Sequence, residues 1–154
     1  MKNKFMKRAI DLSIESVNKG GGPFGCLIVK DNIIISEGSN KVTSTNDPTA
    51  HGEIVAIREA CEKLNNFSLS GCELYSNCEP CPMCLSAIYW ARIEKIYYAN
   101  TREDAQKIDF DDSFIYSEFQ KSINERKIPM LQMMRNEALK AFELWDKKKD
   151  KIKY

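Results

Sequence analysis

The sequence predicts an α/β protein in which helices cover both faces of one sheet, on three observations. Stretches with helical spacing of apolar residues alternate with short β-branched runs, the pattern of a layered sheet. Two of those runs flank Asp31-Asn32, which is turn chemistry, so they read as a hairpin. At 154 residues, 43% of them hydrophobic, the chain is long enough for one domain with a core and too short for two comfortable ones. The whole of 1–154 is therefore read as a single domain, without internal repeats.

The elements follow in order. From Asn3 to Lys19, Phe5, Met6, Ala9, Ile10, Ser13 and Val17 recur at threes and fours, one face of an amphipathic helix that Gly20-Gly21-Gly22-Pro23 ends. Phe24 to Lys30 and Ile33 to Glu37 form the hairpin, and Gly38 to Asn46 is loop. Asp47-Pro48 starts a helix, because aspartate caps and proline is tolerated in the first turn. His51 then falls in that turn, and Ile54, Ile57, Cys61 and Leu64 mark a buried face running to about Lys63. Cys72 to Asn77 is a strand, Pro82 at the first helical position opens a helix through about Arg92, and Lys95 to Ala99 is the next strand. Beyond it, Ile115, Phe119 and Ile123 give a helix over Ser113 to Arg126 that Asp112 can cap. Ile128 to Met134 reads as a strand held to an edge or start by Pro129, and Ala138, Phe142 and Trp145 share one stripe of a last helix from Glu137 to about Lys149.

Lysine and arginine number 23 against 22 acidic residues, so there is no overall field to attract a nucleic-acid backbone, and none is expected as a partner. The six cysteines do not form a disulfide framework, since two of them fall in a metal-binding pattern. With no apolar run behind the charged N-terminus, neither targeting nor membrane insertion is supported, and reduced thiols fit a cytoplasmic setting.

That pattern is His51-Gly52-Glu53 followed by Cys78-Glu79-Pro80-Cys81-Pro82-Met83-Cys84. His51, the single histidine of the chain, with Cys81 and Cys84 offers one imidazole and two thiolates, a set that tetrahedral zinc accepts. The two cysteines fall at a helix N-terminus, where unpaired N–H groups favour thiolate. Three ligands leave one position for a water, and Glu53 lies near enough in sequence to take its proton. Inside a helix, Glu53 would sit about 200° around from His51, which favours a base acting through water over a fourth ligand. The chief competitor is a closed structural site that adds Cys78. A closed site has no need of a carboxylate two residues from its histidine.

Other features read plainly. The glycines at 20 to 22 lack the spacing of a phosphate loop. Lys147-Lys148-Lys149 and Lys151 suit a helix C-terminus and solubility. By composition alone Phe24 and Trp90 are core residues and Tyr154 is a frayed end.

The His-x-Glu and Pro-Cys-x-x-Cys pair is the pattern of zinc nucleobase deaminases. Residues 46–53 and 78–91 resemble the cytidine deaminase-like superfamily, and Phe110-Asp111-Asp112-Ser113-Phe114-Ile115-Tyr116 with a terminal tyrosine resembles its guanine deaminase family. Gly52 departs from a common alanine, at a cost of about 1 kcal/mol in helix stability. The resemblance implies a three-layer αβα sandwich around a mixed five-stranded sheet, one Zn²⁺ per chain, and hydrolysis of guanine to xanthine and ammonia. It implies Glu53 and Asp112 as catalytic carboxylates, the latter at the amino group, with Asn40 on a polar ring edge and Phe24, Trp90 and Tyr154 on the purine. It also implies a homodimer that exchanges the C-terminal segment from about residue 108, so that Tyr154 closes the partner's pocket; the sequence itself offers Asn100 to Lys107, polar and without hydrophobic periodicity, as a connection able to cross. A guanosine or other base or nucleoside deaminase, the tRNA-adenosine type included, is the second reading. A zinc-stabilised binding module without enzymatic activity is the third.

Overall fold

The computed structural model describes residues 2–154, and they form two compact units divided after Asp112. The larger contains α1 (Lys2–Asn18), β1 (Gly25–Lys30), β2 (Ile33–Ser39), α2 (Val42–Thr45), α3 (Gly52–Leu64), β3 (Cys72–Cys78), α4 (Pro82–Trp90), β4 (Lys95–Asn100) and α5 (Arg102–Gln106). The smaller, Ser113–Tyr154, contains α6 (Ser113–Gln120), a 3₁₀ turn at Ile123–Glu125 and α7 (Arg135–Lys147). No helix among the described residues is long and apolar enough to cross a membrane.

The sheet is mixed, in the order β2-β1-β3-β4. β1 is antiparallel to both neighbours, and β3 and β4 are parallel. The expected hairpin is present: Asp31 and Asn32 both take left-handed φ, 50° and 61°, the two-residue turn whose twist matches its strands. Alternation along β1 sends Leu27 and Val29 toward α1, where they meet Phe5, Ala9, Leu12 and Tyr75. Cys26 and Ile28 point the other way, to Ala56 and Ala60 of α3 and Ile88 of α4. Both faces of the central strand are thus covered, which is why its sequence is apolar throughout.

Four expectations are corrected. The sheet has four strands among the described residues, not five; Ile128 to Met134 forms no ladder and its side chains are exposed. The stripe assigned to α1 is turned. Phe5, Ala9, Leu12, Ser13 and Ser16 are buried, whereas Ile10 and Val17 are 39% and 50% exposed. Apolar residues lie on more than one side of α1, and Gly25 sets its rotation: a Cβ there would stand 2.5 Å from the Ala9 carbonyl oxygen and the Ser13 nitrogen. β2 continues to Ser39 and α2 interrupts the expected loop. Asp47-Pro48 does not begin α3. The Asp47 carboxylate accepts from the Thr49 N–H (2.8 Å) and hydroxyl (2.6 Å), closing a local turn, and the helix starts at Gly52 with His51 as its N-cap.

Candidate metal centre

Two helix starts bring the donors together. His51 is extended (φ −68°, ψ 157°) before α3, and Cys81 is extended (φ −65°, ψ 168°) before α4, with Pro82 just inside. Each side chain therefore leaves the chain where the backbone turns into a helix. α3 lies backbone to backbone on β2, because a Cβ on Gly38 would be 2.1 Å from the Gly52 carbonyl oxygen. Ahead of α4, the Glu79 N–H donates to the Asn100 carbonyl (2.8 Å) and the Glu79 carboxylate accepts from the Arg102 N–H (3.2 Å). These bonds tie the loop after β3 to the end of β4, at the carboxyl ends of two parallel strands, where α/β sheets present their sites.

His51 Nδ1 stands 3.5 Å from both Cys81 Sγ and Cys84 Sγ, and the three donor atoms lie within 4.8 Å of one another. Bonds of about 2.3 Å to sulfur and about 2.0 Å to nitrogen, meeting near the tetrahedral angle, put nitrogen and sulfur about 3.5 Å apart. The donor set and its spacing fit one zinc ion. Cys84 donating to Cys81 holds the Cys81 thiol down at about 4, helped by His51, while the same bond and burial push Cys84 up. His51 is raised, first by its bond to Cys81. One thiolate thus stands ready at the helix start, and a metal would displace the second thiol proton.

Cys78 is apart from this cluster. Its thiol is directed at the Thr101 carbonyl oxygen at 3.8 Å and is raised to about 11, chiefly by burial. His51 is the extended N-cap ahead of α3, so the expected offset of about 200° within one helix does not apply to Glu53. The residue is nonetheless within the first turn of α3 and only 6% exposed. Burial raises its carboxyl above the ordinary range, and Ser76 Oγ donates to Glu53 Oε1 at 3.2 Å.

A cavity of about 430 Å³ opens over the cluster, with His51, Glu53 and Cys81 in its floor. Phe24, Asn40 and Asp112 also line it, and Asp112 is raised by burial and then by the negative Cys81. Asn40 Oδ1 accepts from the Val42 N–H at 3.2 Å. Trp90 does not line the cavity: it sits exposed (68%) at the end of α4, near Tyr89 and Arg92. Two residues past buried Ile88 it is about 200° around the helix, so the core expectation from composition fails for it. Tyr154 belongs to the smaller unit and is 74% exposed. Phe110 was not singled out as a site residue. It lines the cavity edge-on to Phe24, ring centres 4.8 Å apart at 90°, and its place two residues before Asp112 was the available signal. Glu79, Arg102, Asp109 and Asp111 also line the cavity.

A layered mixed sheet with a His-Cys-Cys centre at two helix starts defines the class. Residues 1–100 match the cytidine and deoxycytidylate deaminase zinc-binding region, and the chain belongs to that family. Within it, the chain is 53% identical over 151 residues to the guanine deaminase of Bacillus subtilis, covering 97% of each chain. The X-ray structure of guanine deaminase from Bacillus subtilis superimposes with a TM-score of 0.96 at 52% identity, covering 99% of this chain and 98% of that one. A tRNA-specific adenosine deaminase of Aquifex aeolicus is 46% identical over 98 residues, 64% of this chain and 65% of the relative.

Proposed function

We propose that this chain is a zinc-dependent deaminase that hydrolyses guanine to xanthine and ammonia. The observation that carries the chemistry is that His51, Cys81 and the buried Glu53 carboxyl open on one cavity, with the third donor, Cys84, buried within 4.8 Å of the other two donor atoms. The 53% identity over nearly the whole chain supports guanine as the base. His51, Cys81 and Cys84 would hold the ion, which would supply a water of pKa near ~7 and a Lewis acid for the atoms under attack. Glu53, buried among the residues that floor the cavity, takes the water proton, passes it to a ring nitrogen and then toward the departing amine. A C–O bond forms at the carbon bearing the 2-amino group, and the C–N bond breaks to release ammonia.

Asp112 meets the amino group and helps protonate it. Asn40, its Oδ1 engaged by Val42, presents its Nδ2 donor to a ring acceptor. Phe24 packs on a ring face. Ammonia release with guanine, guanosine, adenine, cytosine and tRNA tests the reading. Guanine turned over fastest is the expected result, and a preference for tRNA or no turnover at all overturns it. A cytoplasmic setting, where metal-ligating thiols stay reduced, suits all six free cysteines.

The proposal extends to a homodimer that exchanges its C-terminal segment. Support comes from the Ser113–Tyr154 unit, in which no described residue is buried, and from β4, which ends the strand order. Arg102–Gln106 is a helix closed by a Thr101-Asp104 capping box and not the expected loose hinge, so the crossing falls after it, close to Asp112. Tyr154, exposed within one chain, closes the partner's purine pocket in such a pair. Glu53→Gln chains refolded with equal amounts of a chain lacking Tyr154 should regain activity in about a quarter of all sites under random pairing. Re-formed dimers without activity exclude the exchange.

A further inference from the structure

Where β1 runs out beside the cavity, a buried side chain takes over from the sheet's own hydrogen bonding. Asn77 is 5% exposed and is the last residue of β3 but one. Its Oδ1 accepts from the Gly25 N–H at 2.8 Å and its Nδ2 donates to the Pro23 carbonyl at 2.9 Å. These two backbone groups flank Phe24. The Phe24 peptide is thus gripped on both sides by one planar amide, and its own carbonyl accepts from the Asn40 N–H at 3.1 Å. Gly25 is pressed on α1 so closely that no Cβ fits, which removes the remaining freedom of the segment to slide.

We infer that Asn77 is a positioning residue that sets the place of the Phe24 wall, and through it Asn40, relative to the metal loop. β3 passes from Asn77 directly into Cys78, Glu79 and Pro80 and reaches the donor Cys81 at the start of α4. Phe24 and the metal loop are therefore both referenced to one strand, and a planar ligand lying between them has its depth and tilt set by a single side chain. An amide does this where other residues cannot: it offers one acceptor and one donor in a fixed plane, matched to a carbonyl and an N–H two residues apart. A carboxylate keeps the acceptor and loses the donor, turning an oxygen on the Pro23 carbonyl. Alanine loses both bonds and leaves two polar groups without partners.

The inference rests on the proposed guanine chemistry for its kinetic arm only. In the zinc-loaded full chain, Asn77→Asp should raise KM for guanine about tenfold with kcat changed less than about threefold, because misplacement of a wall weakens binding before it touches the proton path. Leu74→Ala, which loosens the core without reaching the cavity, should leave KM within about twofold and separates positioning from lost stability. If the buried carboxylate prevents folding, Asn77→Ser, smaller and neutral, carries the same comparison. A folded variant at position 77 with KM within about twofold of the wild type overturns the inference. A second arm needs no substrate. Backbone hydrogen exchange at Gly25 should speed at least about tenfold in Asn77→Ala while Leu27 to Val29 keep their rates, and unchanged Gly25 exchange overturns the clamp. Failure of the wild type to act on guanine refutes the proposed function, and the exchange result then judges the clamp alone.

Discussion

The two units of this chain make opposite use of apolar residues. Up to Asp112 they are spent on a core: two clusters, one on each face of the sheet, enclose Tyr75, Leu27, Ile28 and Leu74 almost completely. From Ser113 onward the same kinds of residue stand in solvent. Phe114, Phe119, Leu131, Phe142 and Leu144 are all exposed, and neither α6 nor α7 has a buried residue. Helices of eight and thirteen residues are marginal without packing. The first unit thus carries its own reason to fold, whereas the second has the pattern of a surface that needs cover.

The largest expected effect lies in the first unit, at the carboxyl beside the metal donors. Glu53→Gln should keep fold and zinc content and lose at least ~10²-fold in kcat, as when a positioned base is removed; metal analysis alongside turnover checks it. Near-normal turnover would assign the proton to another group. Next in size, Leu74→Ala should cost about 2–5 kcal/mol in denaturant unfolding, independently of protein concentration, as a buried truncation does. Phe142→Ala sharpens the contrast. In an isolated chain it should change stability by less than about 0.5 kcal/mol. In an exchanged pair its cost should appear in dimer dissociation measured by dilution, and an unaltered dimer would remove α7 from the interface.

The smallest effect is a pH dependence within the first unit. Arg8 donates from Nε and Nη2 to Glu37 at 2.8 and 2.7 Å, and those bonds hold the Glu37 carboxyl below its ordinary 4.5. A lowered folded-state value means that the stabilisation is fully present above the unfolded value and is lost as pH falls through the folded one. Glu37→Gln should therefore be less stable than wild type above about pH 5 and converge with it under acid, by a few tenths of a kcal/mol because both groups are about one-third exposed. A constant gap from pH 3 to 7 would show that charge is not the cause.

Local signals were legible in proportion to how locally they are satisfied. The hairpin is fixed by Asp31-Asn32, and α4 by Pro82 after Cys81, so both appear where the sequence puts them. The metal donors were legible as a spacing. Asp47-Pro48 misled because the aspartate spends its capping chemistry on Thr49 in a turn, a choice that propensity does not distinguish from a helix start. The rotation of α1 was hidden because Gly25, sixteen residues beyond Ala9, decides it by close approach. Trp90 lies two residues past buried Ile88, on another side of α4 from the core, Ile128 to Met134 forms no ladder among the described residues, and Phe110 meets Phe24 through a ring contact that only its place two residues before Asp112 could suggest.

Gly38 extends the metal centre into a part of the chain that holds none of its ligands. Any side chain there must push the Gly52 carbonyl, and with it the turn that carries His51 and Glu53, away from the sheet. Position 38 is thus a gauge: the thickness of one missing methyl group sets how far the imidazole stands from the two sulfurs. In a randomised library, substitutions at 38 should be lost from a zinc-retention screen as completely as substitutions of the ligands themselves. Exposed positions such as Ile33, at the far end of the same strand, should tolerate nearly anything.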